Sequence, residues 1–200
     1  MRDYWKAYTD VTQLFKDCTG DTLLDWPDDH LCAYMKAKHA LRVTYAFTLD
    51  DPKTFDWVSN QLKGLKVVDP MAGSGYWGRE LQRVGIDIDL YDLHGPETNG
   101  WYKKKPLADI TFGMLGSESV REKPYDVLLL AWPPYDSSAG CDTLRAFKGD
   151  RVLYMGEGVG GCCGDYDMFA LLDSEWRRLS GHKPEQWEGI HDRCSIWERL

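Results

Sequence analysis

The segment Lys66-Val67-Val68-Asp69-Pro70-Met71-Ala72-Gly73-Ser74-Gly75-Tyr76 constrains this chain more than any other. Two β-branched residues close a short apolar run, and an acid follows. Pro70 removes a backbone donor, so the run cannot continue as an interior strand. Gly73 and Gly75 open a tight turn in which the missing Cβ lets backbone approach a ligand. From Tyr76 to Val84 the apolar residues Tyr76, Leu81 and Val84 share one helical side. Strand, glycine turn and helix in this order form the opening unit of a nucleotide-binding α/β sheet.

Two cofactor classes compete for the turn. Gly73-Ser74-Gly75-Tyr76-Trp77-Gly78 satisfies the G-x-G-x-x-G spacing of dinucleotide sites. In those folds the first glycine follows the strand almost directly, because the pyrophosphate must reach the helix N-terminus. Here Asp69 to Ala72 intervene. An acid at the strand end repels pyrophosphate and suits a cation such as the ammonium of S-adenosylmethionine (SAM). The acid favours SAM, and an NAD(P)-dependent oxidoreductase remains the alternative.

A second segment sharpens the choice. Val127 to Ala131 is a continuous apolar run of the buried parallel-strand type, closed by Trp132-Pro133-Pro134-Tyr135-Asp136. Ligands of open α/β sheets bind at such strand ends. Asp69-Pro-x-x-Gly-Ser-Gly followed by Pro-Pro-Tyr resembles the class I SAM-dependent methyltransferases, and among them the amino-methyltransferases of nucleic acids. The stretches around Tyr154-Met155-Gly156-Glu157 and Gly160 to Asp165 also resemble a set of uncharacterised methyltransferase-like proteins. The resemblance implies SAM as cofactor and transfer to a nitrogen acceptor. Two positions depart from the pattern: Met71 replaces the usual first glycine of the loop, and Trp132 replaces the Asn or Asp before Pro-Pro. In the amino-methyltransferases that residue accepts a hydrogen bond from the target amine, whereas Trp carries a donor and no acceptor. Asp136 is the candidate replacement acceptor. The change also keeps open a non-catalytic or partner-dependent SAM-binding subunit.

The resemblance assigns further residues. Asp92, ending a strand over 86–91, would take the cofactor ribose; Asp109 would accept from the adenine amino group. Asp69, Met71, Gly73, Ser74 and Gly75 would hold the rest, with Tyr45 and Phe47 lying over its methionine half. An aromatic face there attracts a sulfonium by a cation–π contact. Trp132, Pro133, Pro134 and Tyr135 would form a rigid floor for a planar acceptor: a nucleobase, nucleic acid or aromatic metabolite. Glu157 would orient that acceptor or take its proton, and the glycine-rich stretch 156–164 would be a lid.

The size of 200 residues suits a single domain over 1–200, with a helical N-terminal cap over 1–62 and a Rossmann-like core over 63–200. A net charge of −8 lacks the basic footprint of a duplex-binding protein, so duplex DNA is disfavoured as a partner. A small-molecule acceptor, a nucleic acid held at a local basic patch such as Lys103-Lys104-Lys105 beside Trp101-Tyr102, or a protein partner fits better. Six scattered cysteines, no secretory-type start and no apolar run of membrane length predict a cytoplasmic protein with free thiols. Adjacent Cys162 and Cys163 lack C-x-x-C spacing, and His94 and His191 have no partners in sequence, so no metal is expected.

Helical spacing covers 3–18, broken at Thr19-Gly20-Asp21, then 28–42 and 52–62. Strands are expected at 65–69, 86–91, 108–112, 126–131 and 151–155, a helix at 165–179, and an antiparallel strand pair at 186–190 and 194–198. The fold class is therefore α/β, a mostly parallel Rossmann-like methyltransferase sheet with an antiparallel last strand and helices on both faces.

Overall fold

A computed structural model describes residues 1–16 and 26–200. The expected helix break at Thr19-Gly20-Asp21, and Cys18, lie outside the described residues. Three helices come first: α1 (Asp3–Leu14), α2 (Asp28–Arg42) and α3 (Pro52–Leu62). The sheet then alternates with helices: β1 (Lys66–Asp69), α4 (Tyr76–Arg83), β2 (Asp87–Asp92), β3 (Thr111–Phe112), α5 (Gly116–Ser119), β4 (Val127–Ala131), α6 (Ala139–Ala146), β5 (Arg151–Gly156) and α7 (Tyr166–Glu175). Two strands close it, β6 (Trp176–His182) and β7 (Arg193–Arg199). The spatial order is β3-β2-β1-β4-β5-β7-β6. The first five strands are mutually parallel, and β7 enters antiparallel between β5 and β6. This is the Rossmann-like architecture expected from the sequence.

The central strands read as unbroken apolar runs because both faces of the sheet are covered. Successive side chains alternate between two cores. Val67, Leu129, Leu153 and Met155 pack with Tyr4, Tyr8, Tyr34, Phe55, Val58 and Leu81 from the helices of one face. Val68, Leu128, Leu130, Val152 and Tyr154 pack with Leu144, Phe147, Met168 and Leu172 on the other. The N-terminal helices thus share the core of the sheet. Asp51 caps α3 by accepting from Lys53 N (3.0 Å) and Thr54 N (3.1 Å), with Pro52 at the first helical position. Arg2 donates to the Asp50 carboxylate at 2.8 Å, and Tyr76 OH donates to the same oxygen at 2.7 Å, which pins the chain start to α4.

Four expectations need correction. The helix of 165–179 stops at Glu175, and Trp176–His182 is strand β6. Spacing alone placed Trp176 and Leu179 on the helix, but pairing with β7 overrides it; Trp176 packs on Phe147 while Leu179 is exposed. The expected strand at 186–190 is a loop. Its apolar signal is Trp187, buried and donating to Tyr4 OH at 2.9 Å, an anchor for the helical cap. The strand of 108–112 shrinks to Thr111 and Phe112, both exposed at the sheet edge, because residues 107–110 pack against the glycine turn instead. The first helix ends at Leu14, short of 18.

Candidate functional site

The strand order reverses between β1 and β4, and both end at the same edge of the sheet. That switch point leaves a crevice between the turn after β1 and the loop after β4. A cavity of about 150 Å³ lies there, reached at once by Asp69, Gly73, Ser74 and Phe47 and by Trp132 to Asp136.

On the β1 side, Asp69 is 2% exposed, and its Oδ1 accepts from Met71 N at 3.2 Å. Burial pushes its carboxyl up to about 7; the Met71 amide opposes this and Asp92 adds to it. Gly73 (φ 56°) and Gly75 (φ 75°) adopt left-handed backbone, which explains both glycines. Neither leaves open space: the ring of Tyr102 lies 2.5 Å from where a Cβ at Gly73 would stand, and Ala108 and Ile110 lie 3.0 Å from one at Gly75. Gly78, third glycine of the dinucleotide-like spacing, faces Leu90 of β2 at 2.4 Å, so its role is helix–strand packing. Ser74 Oγ donates to the Tyr45 carbonyl and accepts from Tyr76 N at 3.1 Å, fastening residues 45–48 over the turn.

Asp92 clamps this turn. Its Oδ2 accepts from Gly73 N and its Oδ1 from His94 N, each at 2.8 Å. Burial raises its pKa, with those two amides pulling it back. It stands outside the cavity wall. Asp109 is exposed and also outside the wall; its neighbours Leu107 and Ala108 do the packing, and Leu107 N donates to Ser74 O at 2.8 Å.

The roof is aromatic. Tyr45 stacks on Tyr4 with centroids 5.1 Å apart and meets Tyr76 edge-on at 5.2 Å. Phe47 lies 4.8 Å from Trp132, 5.5 Å from Trp101 and 6.3 Å from Tyr102. Lys104 donates to Thr44 Oγ1 at 2.9 Å, so the 101–105 loop is docked on the same segment. Trp101 and Tyr102, candidates for nucleic-acid stacking in the sequence, instead pack on Phe47, with Tyr102 also against Gly73. Their signal was an aromatic doublet inside a charged loop.

On the β4 side, Trp132 (φ 52°) is the one non-glycine residue with left-handed backbone among the described residues. That conformation turns its indole back, where Nε1 donates to Thr48 Oγ1 at 2.9 Å. Pro133 is buried and its carbonyl accepts from Gly164 N at 2.8 Å, while Pro134, Tyr135 and Asp136 stay exposed along the wall. Beneath them Asp192 is 1% exposed. Burial raises its pKa, and the side chains of Thr48, Gln186 and Trp132 pull it back. Thr48 and Asp192 carried no motif that would have found them.

Glu157 stands behind the wall. Its Oε2 accepts from Cys162 N at 2.8 Å and its Oε1 from His191 N at 2.9 Å. Burial would raise its pKa, but these two amides and His191 outweigh it and hold the carboxylate low. Cys162 reaches the cavity, whereas Cys163 is buried against Tyr154 OH at 3.2 Å. Glu157 therefore ties the 156–164 stretch to the segment before β7. Among the described residues no cluster of His, Cys, Asp or Glu has metal-site geometry, and no helix is long and apolar enough to cross a membrane.

No protein-family model matches the chain, and no curated protein matches it. Solved structures do. Magnesium protoporphyrin IX methyltransferase from Synechocystis PCC 6803, with bound SAM, is 14% identical and superposes with a TM-score of 0.51 over 100% of this chain and 99% of that one. A 1,6-didemethyltoxoflavin-N1-methyltransferase from Burkholderia thailandensis, with its substrate and S-adenosylhomocysteine (SAH), is 15% identical, with a TM-score of 0.50 over 84% and 86%. A mutant MtNAS in complex with SAM is 13% identical, with a TM-score of 0.52 over 98% and 73%.

Proposed function

We propose that this chain, which has the class I SAM-dependent methyltransferase fold, binds SAM in the switch-point crevice and methylates a planar acceptor at nitrogen. The carrying observation is that one cavity joins Asp69 and the glycine turn to the Trp132–Asp136 loop. The residues present fit the cofactor: Asp69 lines the cavity, and one of its oxygens makes no hydrogen bond among the described residues. An ammonium there would repay the burial that holds the carboxyl near 7. Phe47 lines the cavity on its aromatic side, and Asp92 holds the turn while keeping lone pairs for ribose hydroxyls. When bound, SAM would supply a methyl already activated on positive sulfur, with the sulfur as leaving group.

The protein's part is to position and to exclude water. Pro133 and Pro134 stiffen the floor, and Tyr135 offers a face on which a flat acceptor stacks. Trp132 makes its indole donation to Thr48, so it gives the acceptor no hydrogen-bond partner. Asp136 is the exposed carboxylate on this wall and takes the proton lost from the acceptor nitrogen. The same Trp132 geometry supports a second reading, a SAM-binding subunit that methylates only with a partner.

The test is calorimetric titration with SAM, SAH, NAD and NADP, on wild type and Asp92→Ala. Micromolar binding of SAM and SAH, weakened in the variant, supports the reading; binding of NAD or NADP alone overturns it. In a screen of planar acceptors with labelled SAM, Tyr135→Ala should lose acceptor turnover at least tenfold while SAH affinity stays near wild type. Equal losses of both would remove Tyr135 from the acceptor site. Asp136→Asn with full activity would exclude Asp136 as the proton acceptor.

A further inference from the structure

Arg42, the last residue of α2, carries a half-buried guanidinium to which the fold gives no hydrogen-bond acceptor among the described residues. Its guanidinium carbon lies 4.1 Å from the centroid of Phe47 and 5.7 Å from that of Trp132. Those two rings are 4.8 Å apart and both line the cavity; Arg42 is not itself part of the wall but packs on the Phe47 ring that is. Arg42 Nε is buried with no hydrogen-bond partner. Among the described residues none accepts from the guanidinium, and no carboxylate forms an ion pair with it. The ring faces answer part of its charge but accept none of its five N–H donors conventionally. Burial pulls its pKa down, which marks a cation partly stripped of water. Glu157 and Asp192 act on it only through space; the Glu157 oxygens accept from Cys162 and His191, and Asp192 Oδ1 accepts from Gln186 Nε2 at 3.1 Å.

We propose that the methyl acceptor is a planar carboxylic acid and that Arg42 receives its carboxylate. This rests on the reading of the crevice given above. A guanidinium fork binds a carboxylate through two parallel hydrogen bonds, the geometry that satisfies an unpaired arginine best. A flat ring carrying that carboxylate stacks on the same aromatic wall. Charge balance points the same way. A sulfonium beside Phe47 would set a second cation near Arg42, and an anion on the acceptor relieves both. The net charge of −8 disfavours anions at long range, so the recognition is by contact.

The test uses protein saturated with SAH and two matched pairs of probes, benzoate with benzamide and nicotinate with nicotinamide. Binding is followed by thermal shift and ligand-detected NMR on wild type, Arg42→Gln and Arg42→Lys. SAH binding by each variant reports that its fold is intact. The wild type should prefer each acid over its amide by about tenfold. Arg42→Gln should erase the preference, and Arg42→Lys should keep part of it, because an ammonium supplies charge without the fork. Equal affinity for acid and amide, or a preference that survives in Arg42→Gln, overturns the proposal. Acids that fail to bind while SAH binds overturn it too and leave the cofactor reading standing. Absence of SAH binding overturns both.

Discussion

In the proposed reading, Asp69 couples fold, ligand and pH. Its carboxyl sits near 7 because burial disfavours the anion. The folded state therefore holds its proton more firmly than the unfolded chain does. By linkage, this group's contribution to stability is greatest below the unfolded carboxylate value and falls as pH rises toward 7. A cationic ligand needs the ionised form, so SAH affinity should rise about tenfold from pH 6 to pH 8 and level off above. Asp69→Asn should flatten that profile, bind SAH more weakly, and melt higher than wild type at pH 8. Calorimetry across pH checks the first two and thermal unfolding the third. A wild-type affinity that does not change between pH 6 and 8 would remove Asp69 from the ligand site. At this scale the sequence was legible wherever a residue type is demanded by backbone: Gly73 and Gly75 announced themselves. Asp92 was legible as an acid at a strand end, but not as the clamp on Gly73 N, because a hydrogen bond across the chain has no local signature.

Among elements, the helix α4 rests on β2 through a glycine. A Cβ at Gly78 would stand 2.4 Å from a Leu90 methyl and 2.9 Å from its Cγ, inside a closed core. Gly78→Ala should therefore destabilise by about 1–3 kcal/mol, despite the better helix propensity of alanine. Denaturant unfolding measures it, and an unchanged midpoint would mean that Leu90 has room to move. The parallel strands were readable because burial on both faces forces unbroken apolar runs, as in Val127 to Ala131. β6 was not, since an edge strand with Arg177, Arg178 and Ser180 exposed carries no such run. Its strand state comes from β7, which pairs with it along most of its length. Trp187 misled for the opposite reason: a buried indole in a loop has the apolar weight of a strand residue.

Across the whole molecule, the first residues brace the crevice from behind. Asp50 is fully buried; burial lifts its pKa to about 6, while Tyr76 and Arg2 pull against that. Arg2→Gln would leave a buried carboxylate without its cation, and should destabilise by about 2–3 kcal/mol. The loss should be larger at pH 8, where Asp50 is ionised, than at pH 5, where it holds a proton; melting at both pH values tests this. Equal losses would show that Arg2 acts by packing on Phe55, over which its guanidinium lies at 3.9 Å. The tryptophans divide in a useful way. Trp176 and Trp187 are buried away from the cavity, whereas Trp101 is 56% exposed and lines it beside Phe47. The protein thus contains its own optical reporter. A ligand that settles under Trp101 should dim or blue-shift the water-exposed part of the emission and leave the emission of Trp176 and Trp187 unchanged. Trp101→Phe should remove most of that response, leaving the share of half-buried Trp132, without abolishing the binding seen by heat. Stopped-flow fluorescence of the unlabelled protein can then time each arrival in the crevice and reveal whether cofactor or acceptor enters first.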